Sequence, residues 1–422
     1  MRREFFKYSN LDWISVVLYA LLVIIGWLSL YSVTSANELK ELLDFSTLHG
    51  KQLVRIFLGF VLILIILFSD AIIFKKYAIF FYLSAILLLL GLFVFGNKIN
   101  GEISWYRFFG FSIQPSEFAK FATALAFSNI MASKQFDSRD LKDWSKVFII
   151  LLIPVLLILL LGDEGSALVF LFMMFVLYRG GLPWYFMVLP TVLLFIFILT
   201  LTFTPLKVTL VILLIGSFSI YKVDKRRKYL ERISLIVVLV LTAIVISFSS
   251  NYVFNNVLKP HQQNRINILL GKNTDIRGAG YNLRQSEIAF GSGGFSGKGF
   301  LEGTQSAGGF VPEQETDYIF SIVGEEWGFI GTFTVVLLFL LLFLRILFLA
   351  EHQKTLFTKY YGYAVVAILF AHFFINIAMV IGLMPTIGIP LPFFSYGGSA
   401  LWGFTILLFI FLKLDANKVN EW

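Results

Sequence analysis

Residues 147–179 read VFIILLIPVLLILLLGDEGSALVFLFMMFVLYR. The run is too apolar for a water-exposed surface and too long for one membrane crossing. It is interrupted once, at Asp163-Glu164-Gly165, and counting it as one span or two decides which side of a membrane everything after it occupies. A second run of this kind, 184–222, is broken by Thr204-Pro205 and Lys207. Around the two lie clearer spans at about 12–33, 52–69, 77–96, 114–132, 231–250, 318–345, 362–384 and 399–414. Each is near the roughly 20 residues that a helix needs to cross a hydrocarbon core of about 30 Å.

Composition agrees with that solvent. Of 422 residues, 58% are hydrophobic and 14% are charged, against about a quarter charged in an ordinary soluble domain. Trp13, Trp105, Trp184, Trp327 and Trp402 stand at run ends, where headgroup-level anchors belong. Backbone groups in lipid must be satisfied within the chain, so the expected fold is an all-α polytopic bundle. The first run follows Arg2, Arg3 and Lys7 as a signal peptide would, but its apolar core extends to Tyr31. That exceeds the roughly 7–15 residues of a signal core and predicts a retained first helix.

Charge resolves the two ambiguous runs. Read as two hairpins, they give about twelve spans with both termini cytoplasmic. Lys75, Lys76, Lys134, Arg139, Lys142 and Lys146 then share the cytoplasmic side with the cation-rich KVDKRRKYLER of residues 222–232. Reading only the first run as a single span would put that basic loop outside. The same assignment places the long polar segment, residues 251–316, on the outer face. A loop of such length is usually functional or disordered, and this one mixes Ile, Leu, Phe and Tyr with its polar residues. The whole of 1–422 reads as one integral membrane domain.

Several chemistries drop out. There is no cysteine, so disulfides and thiolate catalysis are excluded. His49, His261, His352 and His372 show no metal-binding spacing. The net charge of +8 reads as loop charge and implies no nucleic-acid partner.

The remaining polar chemistry gathers at the outer face. Residues 290–309, FGSGGFSGKGFLEGTQSAGG, are either a flexible loop or a backbone that lets a phosphate-bearing ligand approach Lys298 and main-chain N–H groups. The spacing is not that of a nucleotide-binding P-loop. In PEQETDYIFSIVGEEWGFIG, residues 312–331, Asp317 stands where loop meets span. It is either a helix N-cap or a general base whose basicity is raised by partial desolvation. Glu325 and Glu326, two turns further in, must be paired or functional at that depth. Glu117 and Lys120 in QPSEFAK lie three apart on one helical face, as an intrahelical ion pair or a substrate contact. Asp163 and Glu164 read as a solvated turn. PTIGIPLPFFSYGGS, residues 385–399, reads as a packed irregular turn lining a cavity. His372 and Asn376 read as hydrogen bonders between helices rather than ligands.

QPSEFAK, GSGGFSGKGF with GTQS, PEQETDYIF with GEEWGFIG, and PTIGIPLPFFSYGGS occur in the order found in the SEDS glycosyltransferases, which this chain resembles over nearly its whole length. The GKGF-x-x-GTQS stretch resembles the elongation branch more than the division branch. The resemblance implies a bacterial inner-membrane enzyme that joins lipid II units, moving a growing strand from its undecaprenyl pyrophosphate carrier onto another lipid II. It implies Asp317 as catalytic residue, and a polar substrate-binding cavity that includes Glu117 and Lys120. The matching motifs add Gln305, Ser306, Ser395 and Tyr396 as substrate-binding residues, with Asp163, Glu325, Glu326 and Asn376 in support. A cation must meet the leaving pyrophosphate. Lys298, Arg265, Lys120 and Arg107 are the candidates, or a divalent ion (Mg or Mn) with Glu117, Asp163 or Asp317 as ligands. The implied partners are a class B penicillin-binding protein, which supplies transpeptidation, and other membrane proteins of the elongation complex. Two departures stand out. The family has ten spans, so a surplus hairpin falls within 184–232, and the family's Pro-Asp-Leu-Gly-Thr turn here reads Gly162-Asp163-Glu164-Gly165-Ser166. A flippase of the same precursor is the rival reading. It predicts ionisable groups along a path through the membrane, whereas these cluster at one face.

Overall fold

The computed structural model describes residues 10–35, 41–99, 102–108, 111–222, 229–272 and 279–418. It divides into two compact units, residues 1–181 with 281–422, and residues 182–280. The first unit begins with α1 (Trp13–Ser35), α2 (Leu48–Phe68), a short α3 (Ala71–Lys76) and α4 (Ala78–Phe95). An antiparallel sheet follows, in the order β1 (Asn97–Ile99), β2 (Glu102–Phe108) and β3 (Phe111–Ile113). Next come α5 (Pro115–Met131), α6 (Leu141–Leu161), α7 (Glu164–Phe172) and α8 (Met174–Arg179). The second unit holds α9 (Tyr185–Thr202), α10 (Pro205–Tyr221), α11 (Tyr229–Tyr252), a π-helical turn at Val253–Val257 and α12 (Pro260–Leu269). The chain returns to the first unit in α13 (Ala279–Gly293), α14 (Thr304–Ala307), α15 (Ile319–Glu351), α16 (Leu356–Val380) and α17 (Gly398–Ala416).

Among the described residues, nine helices are long and apolar enough to cross a membrane. The shorter α10 is apolar too, and α5 and the α7–α8 pair lie where the remaining spans were expected. Both ambiguous runs break where their polar residues stand. Gly162 ends α6 in the left-handed conformation (φ 92°), and Asp163 caps α7 by accepting from the Ser166 N–H at 2.9 Å. In the second run Phe203 is extended and Pro205 opens α10, where its missing N–H is not needed.

The first unit is centred on α16 and α17. Their apolar windows are 83% buried, against 28–44% for the other long helices of that unit. They pack on α5, whose buried face carries Ala119, Ala122, Ala124 and Ala126. Small residues permit this closeness, since a Cβ on Gly403 of α17 would come 3.2 Å from Glu117 Cβ and main-chain oxygen.

Two features escape hydropathy. One is the sheet of residues 97–113, too short and too polar to register beside spans. The other is the helical content of the long polar segment, which carries α12, α13 and α14. Helix α15 also hides a break. At Gly328, φ 62° and ψ −152° depart from helix, although the sequence there is continuous with a span.

Candidate active site

Asp317 lies in a tight turn just before α15. The N–H groups of Thr316, Asp317 and Tyr318 all point at the Glu313 carbonyl, at 3.1, 3.1 and 3.2 Å. The 385–399 loop then grips this turn along its length. Ser395 Oγ donates to the Thr316 carbonyl at 2.6 Å, and the Tyr396 N–H donates to the Glu315 carbonyl at 2.9 Å. The Tyr318 and Thr386 hydroxyls bond at 2.8 Å. From α16, the Asn376 amide donates to the main-chain carbonyls of Asp317 (2.8 Å) and Ile389 (2.7 Å), tying turn and loop to one helix. The Asp317 carboxylate faces Gly388, where a Cβ would come 3.3 Å from Oδ2. Gly388 has φ +80°, a conformation that glycine adopts without strain.

One turn along α16 from Asn376, His372 extends the network to α5. Its Nδ1 lies 3.2 Å from the Pro390 carbonyl, and its Nε2 2.7 Å from Lys120 Nζ. Lys120 is an ammonium and donates only, so Nε2 is the acceptor and Nδ1 carries the proton. Lys120 also pairs with Glu117 at 2.6 Å, both side chains 2% exposed. The ion pair and the Asp317 turn therefore belong to one connected structure, joined through two α16 side chains four residues apart. The sequence offered His372 and Asn376 as helix-packing groups. His372 does bond across to α5, whereas Asn376 bonds the Asp317 turn and the 385–399 loop, and spacing alone did not give that they join the two motifs.

Asp163 departs from expectation. It is 8% exposed and does not form a solvated turn. Its Oδ2 accepts from Gln114 Nε2 (2.9 Å) and Ser116 Oγ (3.1 Å), so the cap of α7 also fixes the start of α5. The physical reason is that Gly162 turns the chain back beside α5, whose polar first residues supply the donors that water would otherwise supply.

The Gly-rich stretch is docked on α15 rather than open. The N–H groups of Lys298 and Gly299 donate to the carbonyls of Glu325 and Glu326, each at 3.0 Å. Those of Phe329 and Ile330 donate back to Gly294 (3.0 Å) and Phe295 (3.2 Å). These bonds use the main-chain groups that the Gly328 break frees. Amides 297–299 are thus engaged within the protein and are not donors to a phosphate. Lys298 Nζ is 2.7 Å from Glu325 Oε1, which also accepts from the Gln305 N–H (2.8 Å). Glu325 Oε2 accepts from the Ser306 N–H at 2.9 Å. Glu326 bonds Ser32 of α1. Gln305 and Ser306 are therefore held by their main chains, and Gln314, three residues before Asp317, donates to the Ser306 carbonyl at 3.2 Å.

Of the remaining cations, Arg107 is exposed on β2, in register with Ser112, whose carbonyl accepts from Ser399 Oγ at 3.0 Å. Arg265 lies half-buried on α12, in the second unit. One cation was missed. Arg55 of α2 stacks over the Tyr396 ring at 4.1 Å, and Trp402 Nε1 donates to its carbonyl at 2.9 Å. Its sequence signal was a lone arginine inside an apolar run. The three candidate metal ligands do not converge, because no group of three or more acidic or histidine side chains able to hold an ion occurs among the described residues.

The profile of the FtsW/RodA/SpoVE family, described as "Cell cycle protein", matches residues 12–219 and 206–420. The chain belongs to this family. It is 33% identical over 439 residues to the peptidoglycan glycosyltransferase RodA of Treponema pallidum, covering 97% of this chain and 99% of that one. It is 31% identical over 352 residues to the peptidoglycan glycosyltransferase MrdB of Escherichia coli K12, covering 83% and 81%. Among solved structures, a chain described under "Structural coordination of polymerization and crosslinking by a peptidoglycan synthase complex" superposes with a TM-score of 0.70 at 26% identity, covering 97% and 99%. The FtsW/RodA/SpoVE fold, a polytopic helical membrane protein, is thus the fold of this chain.

Proposed function

We propose that this chain is a peptidoglycan glycosyltransferase of the elongation branch, joining lipid II units at the outer face of the bacterial inner membrane with Asp317 as general base. The family, and an identity to RodA and MrdB (33% and 31%) slightly above that to FtsW relatives (28–30%), support the branch. The observation that carries the role of Asp317 is its setting. Its main chain is gripped by a loop and a helix, so the backbone is held where its carboxylate reaches Gly388.

In this reading the Asp317 carboxylate takes the proton from the acceptor's GlcNAc 4-hydroxyl as that oxygen bonds to the donor's anomeric carbon. The bond from that carbon to the pyrophosphate oxygen breaks, the electron pair leaves with the pyrophosphate, and the anomeric configuration inverts. Arg55 and Arg107 suit the developing charge best, because Lys120 and Lys298 are each already paired with a glutamate. Among the described residues the donor set does not fit a resident divalent ion.

We assign both termini and the 222–232 loop, of which residues 1–9, 223–228 and 419–422 lie outside the described residues, to the cytoplasm, the 251–316 segment to the outer face, and the surplus hairpin to 184–232. The acceptor and donor then present their sugars from the outer leaflet to the Asp317 turn. A class B penicillin-binding protein is the partner that would crosslink the product, in keeping with the synthase complex among the structural neighbours. The test is glycan-strand formation from labelled lipid II by the purified chain with that partner. Asp317→Asn is expected to lower the rate by about 10²–10⁴-fold with an unchanged unfolding midpoint. Equal rates in both proteins would remove Asp317 from the chemistry. No polymer from either, with both well folded, would favour transport of the precursor.

A further inference from the structure

At the other end of the first unit, a cavity of about 500 Å³ opens between α8, α15 and α16. Its floor is apolar, with Phe175, Leu347, Val366 and Phe370. Its rim is ionic. Glu351 is shared by two cations, hydrogen-bonded to Arg179 and 2.9 Å from Lys359 Nζ. Two cations on one carboxylate leave a net positive charge. A guanidinium and an ammonium offer eight N–H donors between them, far more than one carboxylate can take. Both cations lie over the Tyr363 ring, at 5.7 and 5.9 Å from its centroid. Tyr363 lines the cavity, is 6% exposed, and its hydroxyl faces Glu351 and Arg179 without closing a well-formed hydrogen bond to either. A buried hydroxyl that is not fully paired is unfavourable, so one on a cavity wall below spare cationic donors suits a ligand carrying acceptor oxygens.

We propose that this cavity binds one anionic phospholipid of the cytoplasmic leaflet. Arg179, Lys359 and the Tyr363 hydroxyl hold its phosphate, and one acyl chain lies along Phe175, Leu347 and Phe370. A polar rim over an apolar slot matches such an amphiphile, and basic pockets between helix ends on the cytoplasmic side suit anionic headgroups. The volume falls in the roughly 300–1,000 Å³ range of small-ligand sites. A partner helix, about 10–12 Å across with its side chains, needs a longer and wider groove. The leaflet rests on the orientation proposed above. The binding does not, and it is read without any polymerase assay.

The experiment is native mass spectrometry of the full chain released from detergent with phosphatidylglycerol or phosphatidylcholine. The expected result is one retained phosphatidylglycerol, preferred over phosphatidylcholine, with Arg179→Gln/Lys359→Gln weakening it roughly 30-fold at about fivefold per cation. Tyr363→Phe, which keeps the rim charges and the ring, weakens it severalfold. Ala367→Phe, which fills the slot without touching charge, abolishes it. Lys134→Gln/Lys142→Gln, elsewhere on the cytoplasmic side, leaves it unchanged. Equal retention of both lipids, or retention that ignores the Arg179/Lys359 change, overturns the proposal. So does full competition by inorganic phosphate, which would make the site one for an anion alone. No lipid retained by the wild type also overturns it and leaves the cavity to a protein helix.

Discussion

The Asp317 turn and the Gly-rich stretch are neighbours in sequence and both meet α15, yet they are held in opposite ways. The Gly-rich stretch is joined to α15 backbone to backbone, with glycines at the contacts because nothing larger fits. A Cβ on Gly297 would come 2.1 Å from the Glu326 carbonyl oxygen, and one on Gly293 would come 2.0 Å from that of Gly324. The Asp317 turn is held mostly by side chains reaching its carbonyls: Ser395, Asn376 and, one residue on, the Tyr318–Thr386 pair. The first arrangement is a scaffold that tolerates no change in shape. The second fixes where the main chain runs while leaving the carboxylate beside a glycine. Glycine therefore serves two ends within one protein, close backbone packing in one place and a left-handed turn beside a carboxylate in the other.

The largest expected contrast comes from changing one carboxylate in each region to its amide. Asp317→Asn should remove most of the rate, as above, and leave stability alone. Glu325→Gln should do the reverse. Glu325 is fully buried and holds Lys298 and two N–H groups of the 304–306 turn. Losing it should cost about 3 kcal/mol of stability, toward the lower end for a broken buried pair because Lys298 is partly hydrated. The check is the unfolding midpoint in detergent beside the polymerisation rate per folded molecule. A Glu325→Gln protein that is stable but inactive would move that carboxylate from scaffold to chemistry and erase the distinction.

The glycines sharpen the same contrast at smaller scale. Gly297→Ala meets both a left-handed φ of +79° and main-chain oxygen at 2.1 Å. It is expected to destabilise by about 2–4 kcal/mol, summing left-handed strain and overpacking. Gly388→Ala has a similar φ, +80°, but its nearest neighbour is Asp317 Oδ2 at 3.3 Å. Its stability loss should stay near 1–2 kcal/mol. Its rate should fall about 10- to 100-fold, because even a small displacement of a reacting group is expensive. Equal stability losses with equal rates would mean that Gly388 gives Asp317 no clearance that matters.

What the sequence made legible was set by distance along the chain. Span ends and both hairpin breaks are local. Gly162 and Pro205 act within a turn of where they stand, and hydropathy with loop charge found the breaks they mark. Asp317 was legible as a boundary residue, and the family resemblance gave it a role. Its surroundings were not, because the groups that grip it come from 59 to 79 positions away in contact with its turn. Asp163 misled for the same reason. An Asp-Glu-Gly interruption looks solvated until α5 brings Gln114 and Ser116 beside it. That amides 297–299 of the Gly-rich stretch are already engaged could not be read, because the break at Gly328, which claims those of 298 and 299, is invisible in an apolar sequence continuous with a span.

The smallest expected effect tests how the grip on Asp317 is shared. Tyr318→Phe removes one hydroxyl from the 2.8 Å bond to Thr386 and keeps the buried ring, so stability should fall by only about 0.5–1.5 kcal/mol. If the turn is positioned jointly by its three side-chain bonds, kcat for strand formation should fall a few-fold while the KM for lipid II stays level. The loss arises because the carboxylate's aim degrades while the substrate's lipid and sugar contacts persist. Should kcat and stability both stay at wild-type values, positioning belongs to Asn376 and Ser395 alone. Should KM rise with kcat unchanged, the Tyr318–Thr386 pair lies on the substrate's side of the site, and the loop's role shifts from orienting the base to binding the sugar.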